Sequence, residues 1–339
     1  MQDFCTRDDD YNSIVNDIRQ RLVRLATRQP GFTSVLMQGS GTFAVEATLG
    51  SVVPPQGKVL VINNGAYGAR ITLICQRLRI ETVTIKQSEV EVADIDRVDA
   101  VLAQGGFTHL AVVHCETTTG MLNPVVGLGS VAQRHGVKYI VDAMSPFGGI
   151  PMTMEQLQAH FLISSPNKCI QGVPGFGFVV ASRESMEETE GWSRSLSLDL
   201  FDQWREMEEH KGKWRYTSPT HVVRAFSQAL VELDDESGVA VRHQRYCDNH
   251  RLLVEGMRSL GFETLVAPEH QSPIITSFLY PPGNRISFND LYQALKSRRF
   301  VIYPGKVSRA ETFRIGTIGH VFPADIRLLV ESLREVTAS

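Results

Sequence analysis

Apolar residues at Ile14, Ile18, Leu22 and Leu25 recur at helical spacing, which predicts an amphipathic helix over residues 12–28, ended by Pro30-Gly31. After it the period changes. Short apolar runs at Thr33–Met37, Lys58–Ile62, Ile80–Ile85, His109–His114, Lys138–Asp142, Phe161–Ile163 and Phe176–Ala181 read as strands. Helical patterns lie between them, at Phe43–Leu49, from Tyr67 to Leu78, near 94–104 and near 126–135. Strands alternating with helices predict an α/β fold whose mostly parallel sheet lies between helices. From residue 184 onward the pattern is mainly helical, through 219–235 and 238–260. An α+β region closes the chain, with a strand at Ile274–Tyr280, a helix near 287–298, a strand at Phe313–Ile315 and a helix over 323–336. The expected organisation is a large domain over 12–236 and a smaller C-terminal α+β domain over 237–339, which the N-terminal residues 1–11 join.

Composition narrows the class of function. A net charge of −3 gives no basic footprint, so neither nucleic acid nor a membrane surface is an expected partner. No apolar stretch approaches the roughly 20 residues of a membrane span. The acidic N-terminus is unlike a signal peptide, and a cytoplasmic location is expected. The five cysteines, Cys5, Cys75, Cys115, Cys169 and Cys247, have neither disulfide nor metal-site spacing, and no metal is expected. Cys169 has no local partner that would make it a nucleophile.

The chemistry gathers where the strands end. One apolar run finishes in Asp142 and another is followed by Ser164-Ser165-Pro166-Asn167-Lys168. Strand, acid, strand, lysine is the arrangement that pyridoxal 5′-phosphate requires, because a carboxylate keeps the pyridine nitrogen protonated and an amine condenses with the aldehyde. Gly39-Ser40-Gly41-Thr42 lies between a strand and a helix, a phosphate cradle by geometry and dipole, or else an ordinary turn. Gly39-x-Gly41-x-x-Ala44 also fits a dinucleotide fingerprint, but that motif needs an acid at the end of the next strand, and Asn63-Asn64 stands there. Tyr67 follows the next strand and suits stacking on a ring, or a plain surface position. Glu116-Thr117-Thr118-Thr119 offers hydroxyls to a ring substituent, or caps the next segment. Trp214–His221 is turn-like and polar, and suits a cap before the helix at 219–235. Arg314, inside the apolar run Phe313–Ile315, wants an anion, either an internal carboxylate or a ligand.

Taken together, residues 34–51 (SVLMQGSGTFAVEATLGS), 63–70 (NNGAYGAR), 112–124 (VVHCETTTGMLNP), 139–152 (YIVDAMSPFGGIPM), 162–179 (LISSPNKCIQGVPGFGFV), 212–221 (GKWRYTSPTH) and 313–316 (FRIG) resemble the class V, fold-type I aminotransferases. Within that group the chain is similar to those that use 2-aminoethylphosphonate and pyruvate more than to the alanine–glyoxylate and serine–glyoxylate types. The resemblance implies pyridoxal 5′-phosphate as cofactor, with Lys168 as its amine and Asp142 at the ring nitrogen. It further implies Tyr67 on the ring, Thr117 near the ring hydroxyl, and Ser40, Gly41 and Thr42 on the phosphate. Thr217 is expected to reach the phosphate from the other subunit of a homodimer, and Arg314 to clamp substrate anions. A protein keeping this fold without catalysis is the reading from another class; the intact set of Lys168, Asp142 and Arg314 speaks against it. The resembled family carries an upstream Thr-Pro-Gly-Pro segment that approaches the active site and dimer interface. The sequence starts after that point, so substrate affinity and dimer stability are the properties it is expected to bear on. Pro146 and Pro166 stand where relatives carry small residues, and each removes an N–H beside the expected site.

Overall fold

The computed structural model describes residues 4–283, 286–305, 307 and 310–338. Helix α1 (Asp9–Ala26) starts at Asp8, whose carboxylate accepts from the Asp10 N–H at 2.9 Å. It buries Ile18 and Leu22 of the residues expected from the sequence, and Val15 beside them, while Ile14 and Leu25 are half-buried against the core. Strand β1 (Phe32–Gly39) then enters the main sheet, followed by α2 (Gly41–Val52), β2 (Lys58–Asn63), α3 (Ala66–Arg77) and β3 (Glu81–Lys86). Helix α4 (Ile95–Leu102) leads to β4 (His109–Val113) and a small hairpin of β5 (Cys115–Glu116) and β6 (Met121–Leu122). Next come α5 (Val125–Arg134), β7 (Lys138–Asp142), α6 (Met154–Leu157), β8 (Phe161–Ser164) and β9 (Gly175–Ser182).

The seven-stranded sheet runs in the order β1-β9-β8-β7-β4-β2-β3. The pairs β8–β7, β7–β4, β4–β2 and β2–β3 are parallel, while β9 lies antiparallel between β1 and β8. Its central strands are buried along their whole length, as β4 is from His109 to Val113, which is what helices on both faces require. The carboxyl ends of β1, β2, β4, β7 and β8 therefore share one edge, the ligand-binding edge of open parallel sheets.

The remaining chain forms α7 (Arg183–Glu187), α8 (Leu200–Glu209), α9 (Thr220–Asp235) and the long α10 (Val239–Ser259). A second, antiparallel sheet follows, in the order β10-β11-β13-β12, from β10 (Glu263–Thr264), β11 (Ile275–Leu279), β12 (Tyr303–Pro304) and β13 (Thr312–Gly316). Helices α11 (Phe288–Ser297) and α12 (Pro323–Ala338) cover it. Apolar side chains fall into two main clusters, one between Tyr11 and Leu230 and one between Leu253 and Leu333. Phe4 packs against the first of these. No helix among the described residues is long and apolar enough to cross a membrane.

Candidate active site

The site is assembled from loops at the carboxyl edge of the main sheet. Gly39, at the end of β1, takes a left-handed φ of +117°, a conformation open to glycine at little cost. This turn makes Ser40 the N-cap of α2, yet its hydroxyl makes no capping bond. The first turn of α2 is thus left with its dipole and a hydroxyl that does not cap it. Asp142 closes β7 and is 6% exposed. It accepts a hydrogen bond from the Met144 N–H at 2.9 Å, and burial pushes its carboxyl up to about 6.

Lys168 follows β8 in a tight loop. The Gln171 N–H donates to the Lys168 carbonyl at 2.9 Å and the Gly172 N–H to the Pro166 carbonyl at 2.8 Å, with Gln171 left-handed at φ +68°. The loop is held from behind. The Arg242 guanidinium donates to the Cys169 carbonyl at 2.9 Å, and the Gln171 amide donates to the Tyr246 hydroxyl at 2.9 Å. Both prolines near the site close turns through their carbonyls, Pro146 by accepting from Gly149 and Ile150, and Pro166 from Gly172. Cys169 is fully buried and its thiol is pushed far up by burial, so it is no nucleophile.

The cradle residues Ser40, Gly41 and Thr42 line a single cavity of about 250 Å³ together with Tyr67, Thr117, Asp142 and Lys168. Two expected residues do not line it. Arg314, on β13, is 6% exposed and lies behind Thr117, donating to the Thr117 carbonyl at 2.7 Å and to the Pro304 carbonyl at 3.1 Å. It makes no ion pair with a carboxylate among the described residues, so the internal-carboxylate alternative is not realised there. Thr217 is exposed on the stretch between α8 and α9, away from its own chain's cavity. The acid that a dinucleotide site needs is absent as well: Asn64 is buried and spends its amide on the Glu91 carbonyl and on Asn123.

A model of the aminotransferase class V family matches residues 6–309. The chain belongs to that family. It is 62% identical over 336 residues to a 2-aminoethylphosphonate–pyruvate transaminase of Syntrophobacter fumaroxidans, covering 99% of this chain and 91% of the relative. A protein of the same name from Phocaeicola vulgatus is 56% identical over 339 residues, covering 99% and 93%. Solved structures agree in fold. The aspartate aminotransferase of Thermus thermophilus superposes with a TM-score of 0.90 at 21% identity, over 100% of this chain and 93% of that one. The alanine–glyoxylate aminotransferase of a Nostoc species gives 0.90 at 23%, over 99% and 89%.

A class V aminotransferase implies pyridoxal 5′-phosphate, and the residues present fit it. The Ser165 hydroxyl is buried on the cavity wall with no partner, and the Ser40 hydroxyl is likewise uncommitted. One Asp142 oxygen is likewise without a hydrogen bond among the described residues. These groups suit a ligand with phosphate oxygens at one end and a protonated ring nitrogen at the other.

Three residues of this aminotransferase site were not singled out from the sequence. Ser165 carries no signal beyond its nearness to Lys168. Arg70 lies one helical turn after Tyr67, so the i, i+3 rule was enough to put it on the same face. Glu116 is fully buried and accepts from the Gly68 N–H at 2.8 Å and the Tyr67 N–H at 3.3 Å, capping α3 from a different loop. Burial pushes that carboxyl up to about 7. Gly65 makes room for it, since a Cβ there would lie 2.5 Å from the carboxylate.

Proposed function

We propose that this chain transfers the amino group of 2-aminoethylphosphonate to pyruvate, giving phosphonoacetaldehyde and L-alanine, with pyridoxal 5′-phosphate as cofactor. The observation that carries the reading is the near full-length likeness to the two transaminases of that name. The cavity supports it, since an acid, an amine and a phosphate cradle face one another there. The bound cofactor supplies the electron sink for the bonds at the amine-bearing carbon.

The residues divide the work. Ser40, Gly41 and Thr42 hold the phosphate, and Thr217 of the partner subunit completes the cradle in a homodimer. Asp142 holds the proton on the ring nitrogen. Burial raises its carboxyl, so its anion gains most from a cation beside it, which is the partner that nitrogen provides. Tyr67 covers one face of the ring, with Thr117 near the ring hydroxyl. Lys168 Nζ takes the proton from the amine-bearing carbon of the donor.

Arg314 binds the phosphonate of the donor and the carboxylate of pyruvate in turn. A planar fork of N–H groups serves both, and this is a guanidinium with no internal carboxylate to satisfy it. An aminoethylphosphonate has no carboxylate on its reacting carbon, so orientation falls to this contact. A donor panel tests the reading. With pyruvate as acceptor, 2-aminoethylphosphonate is expected to give a higher kcat/KM than serine or alanine with glyoxylate. Arg314→Lys is expected to lower kcat/KM by about tenfold to a hundredfold for both substrates, since a charge-assisted bidentate contact is lost. A preference for serine or alanine with glyoxylate would reject the assignment.

A further inference from the structure

Charge does not balance within a cradle of Ser40, Gly41 and Thr42 alone. A phosphate ester near neutral pH carries roughly −1.5 to −2. The α2 N-terminus offers the equivalent of about +0.5, and the hydroxyls of Ser40 and Thr42 offer none. The residues that line the cavity include two cations, Lys168 and Arg70. Lys168 is committed to the aldehyde end of the ligand. Arg70 is left.

Its geometry fits the task. The Arg70 guanidinium donates one bond to the Thr42 hydroxyl at 3.1 Å, so it stands at the cradle itself. Its plane rests over the Tyr67 ring, 5.0 Å from the centroid, which fixes its direction without spending a hydrogen bond. No ion pair and no other hydrogen bond engages it among the described residues. Its charge also favours the ionised form of Asp142, a small pull against the dominant upward push of burial. The remaining N–H groups can meet two oxygens of a phosphate at once.

We infer that Arg70 is a cofactor-binding residue, the cation that neutralises the phosphate of pyridoxal 5′-phosphate held by Ser40, Gly41 and Thr42. The inference rests on the cofactor reading given above and adds a residue to it. It also assigns Tyr67 a second task. The tyrosine supports the guanidinium on the ring side of the cradle, so both residues of the α3 first turns serve one ligand.

The test is equilibrium dialysis of the full chain against pyridoxal 5′-phosphate and, separately, against pyridoxal, which lacks the phosphate. Arg70→Gln is expected to weaken pyridoxal 5′-phosphate binding by about tenfold or more, the size of one lost contact to a charged group. Pyridoxal binding should stay within about twofold, because the ring and aldehyde contacts remain. Arg70→Lys should recover part of the loss by returning the charge. Added salt should weaken phosphate-ester binding more steeply in the wild type than in Arg70→Gln. Unchanged pyridoxal 5′-phosphate affinity in Arg70→Gln would overturn the inference. An equal loss for both ligands would overturn it too, because the arginine would then act through the shape of the cavity or through Tyr67. A wild-type chain that takes up neither ligand would instead reject the cofactor reading on which this one rests.

Discussion

At the scale of single residues, the site holds two carboxyls whose burial works against the cofactor-free protein. Asp142 is pushed up to about 6 and Glu116 to about 7, both chiefly by desolvation. In an unfolded chain each titrates near its ordinary value of roughly 4. Between those values the folded state binds more protons than the unfolded one, so stability falls as pH rises. The window is about pH 4 to 6 for Asp142 and about pH 4.5 to 7 for Glu116. By pH 7.5 each is expected to cost a few kcal/mol, on the order of 1.4 per pH unit between the two values. Asp142→Asn should therefore make the cofactor-free protein more stable than wild type at pH 7.5, while removing most of the transaminase activity. Urea unfolding of both proteins at pH 4.5 and pH 7.5 measures this. A wild-type advantage at pH 7.5 would mean that Asp142 is not strained by burial. Glu116 differs from Asp142 in having two backbone N–H groups as partners, and its task is to hold α3, and with it Tyr67, in place.

Elements meet at the β5–β6 hairpin, which joins the two sheets. The Ser272 N–H donates to the Gly120 carbonyl at 2.7 Å, and Met121 bridges to Gln271. The same hairpin turn carries the Thr117 carbonyl to Arg314. Gly120 sits at φ +86°, and a Cβ on it would run into the Ile275 carbonyl of β11. Gly120→Ala is thus expected to destabilise the protein by about 2 kcal/mol or more and to raise KM for the phosphonate donor, because Arg314 loses its support. Thermal unfolding and steady-state kinetics would read both effects. An unchanged KM would separate the hairpin from the anion site. Much at this scale was legible in the sequence. Apolar runs marked all seven strands of the main sheet within about two residues at either end, most plainly the fully buried central strands, which read as continuous apolar segments. The two-residue strands β5, β6, β10 and β12 were not, because strands that short carry no period. Likewise Glu116 gave no local sign of its role, since its partners belong to a helix start about fifty residues earlier.

For the whole molecule, we propose a division near residue 236 into a larger unit and a smaller one, which the two separate apolar clusters support. Nothing in the packing of Phe4 and Tyr11, which lie on the first cluster, supports placing residues 4–11 with the smaller unit, and Met1–Asp3 lie outside the described residues. A homodimer is proposed on the exposed apolar residues Phe43, Leu196 at 77% exposure and Tyr216, together with the exposed position of Thr217. Light scattering should give the mass of two chains, and a monomer at micromolar concentration would contradict the shared cradle. The donor half-reaction can be isolated. The cofactor-loaded protein is mixed with 2-aminoethylphosphonate and no keto acid, while absorbance and aldehyde release are followed. The visible band of the lysine-bound cofactor is expected to disappear with one equivalent of phosphonoacetaldehyde released per site, and Lys168→Ala is expected to release none. A band that ignores this donor but is discharged by serine or alanine would contradict the assignment.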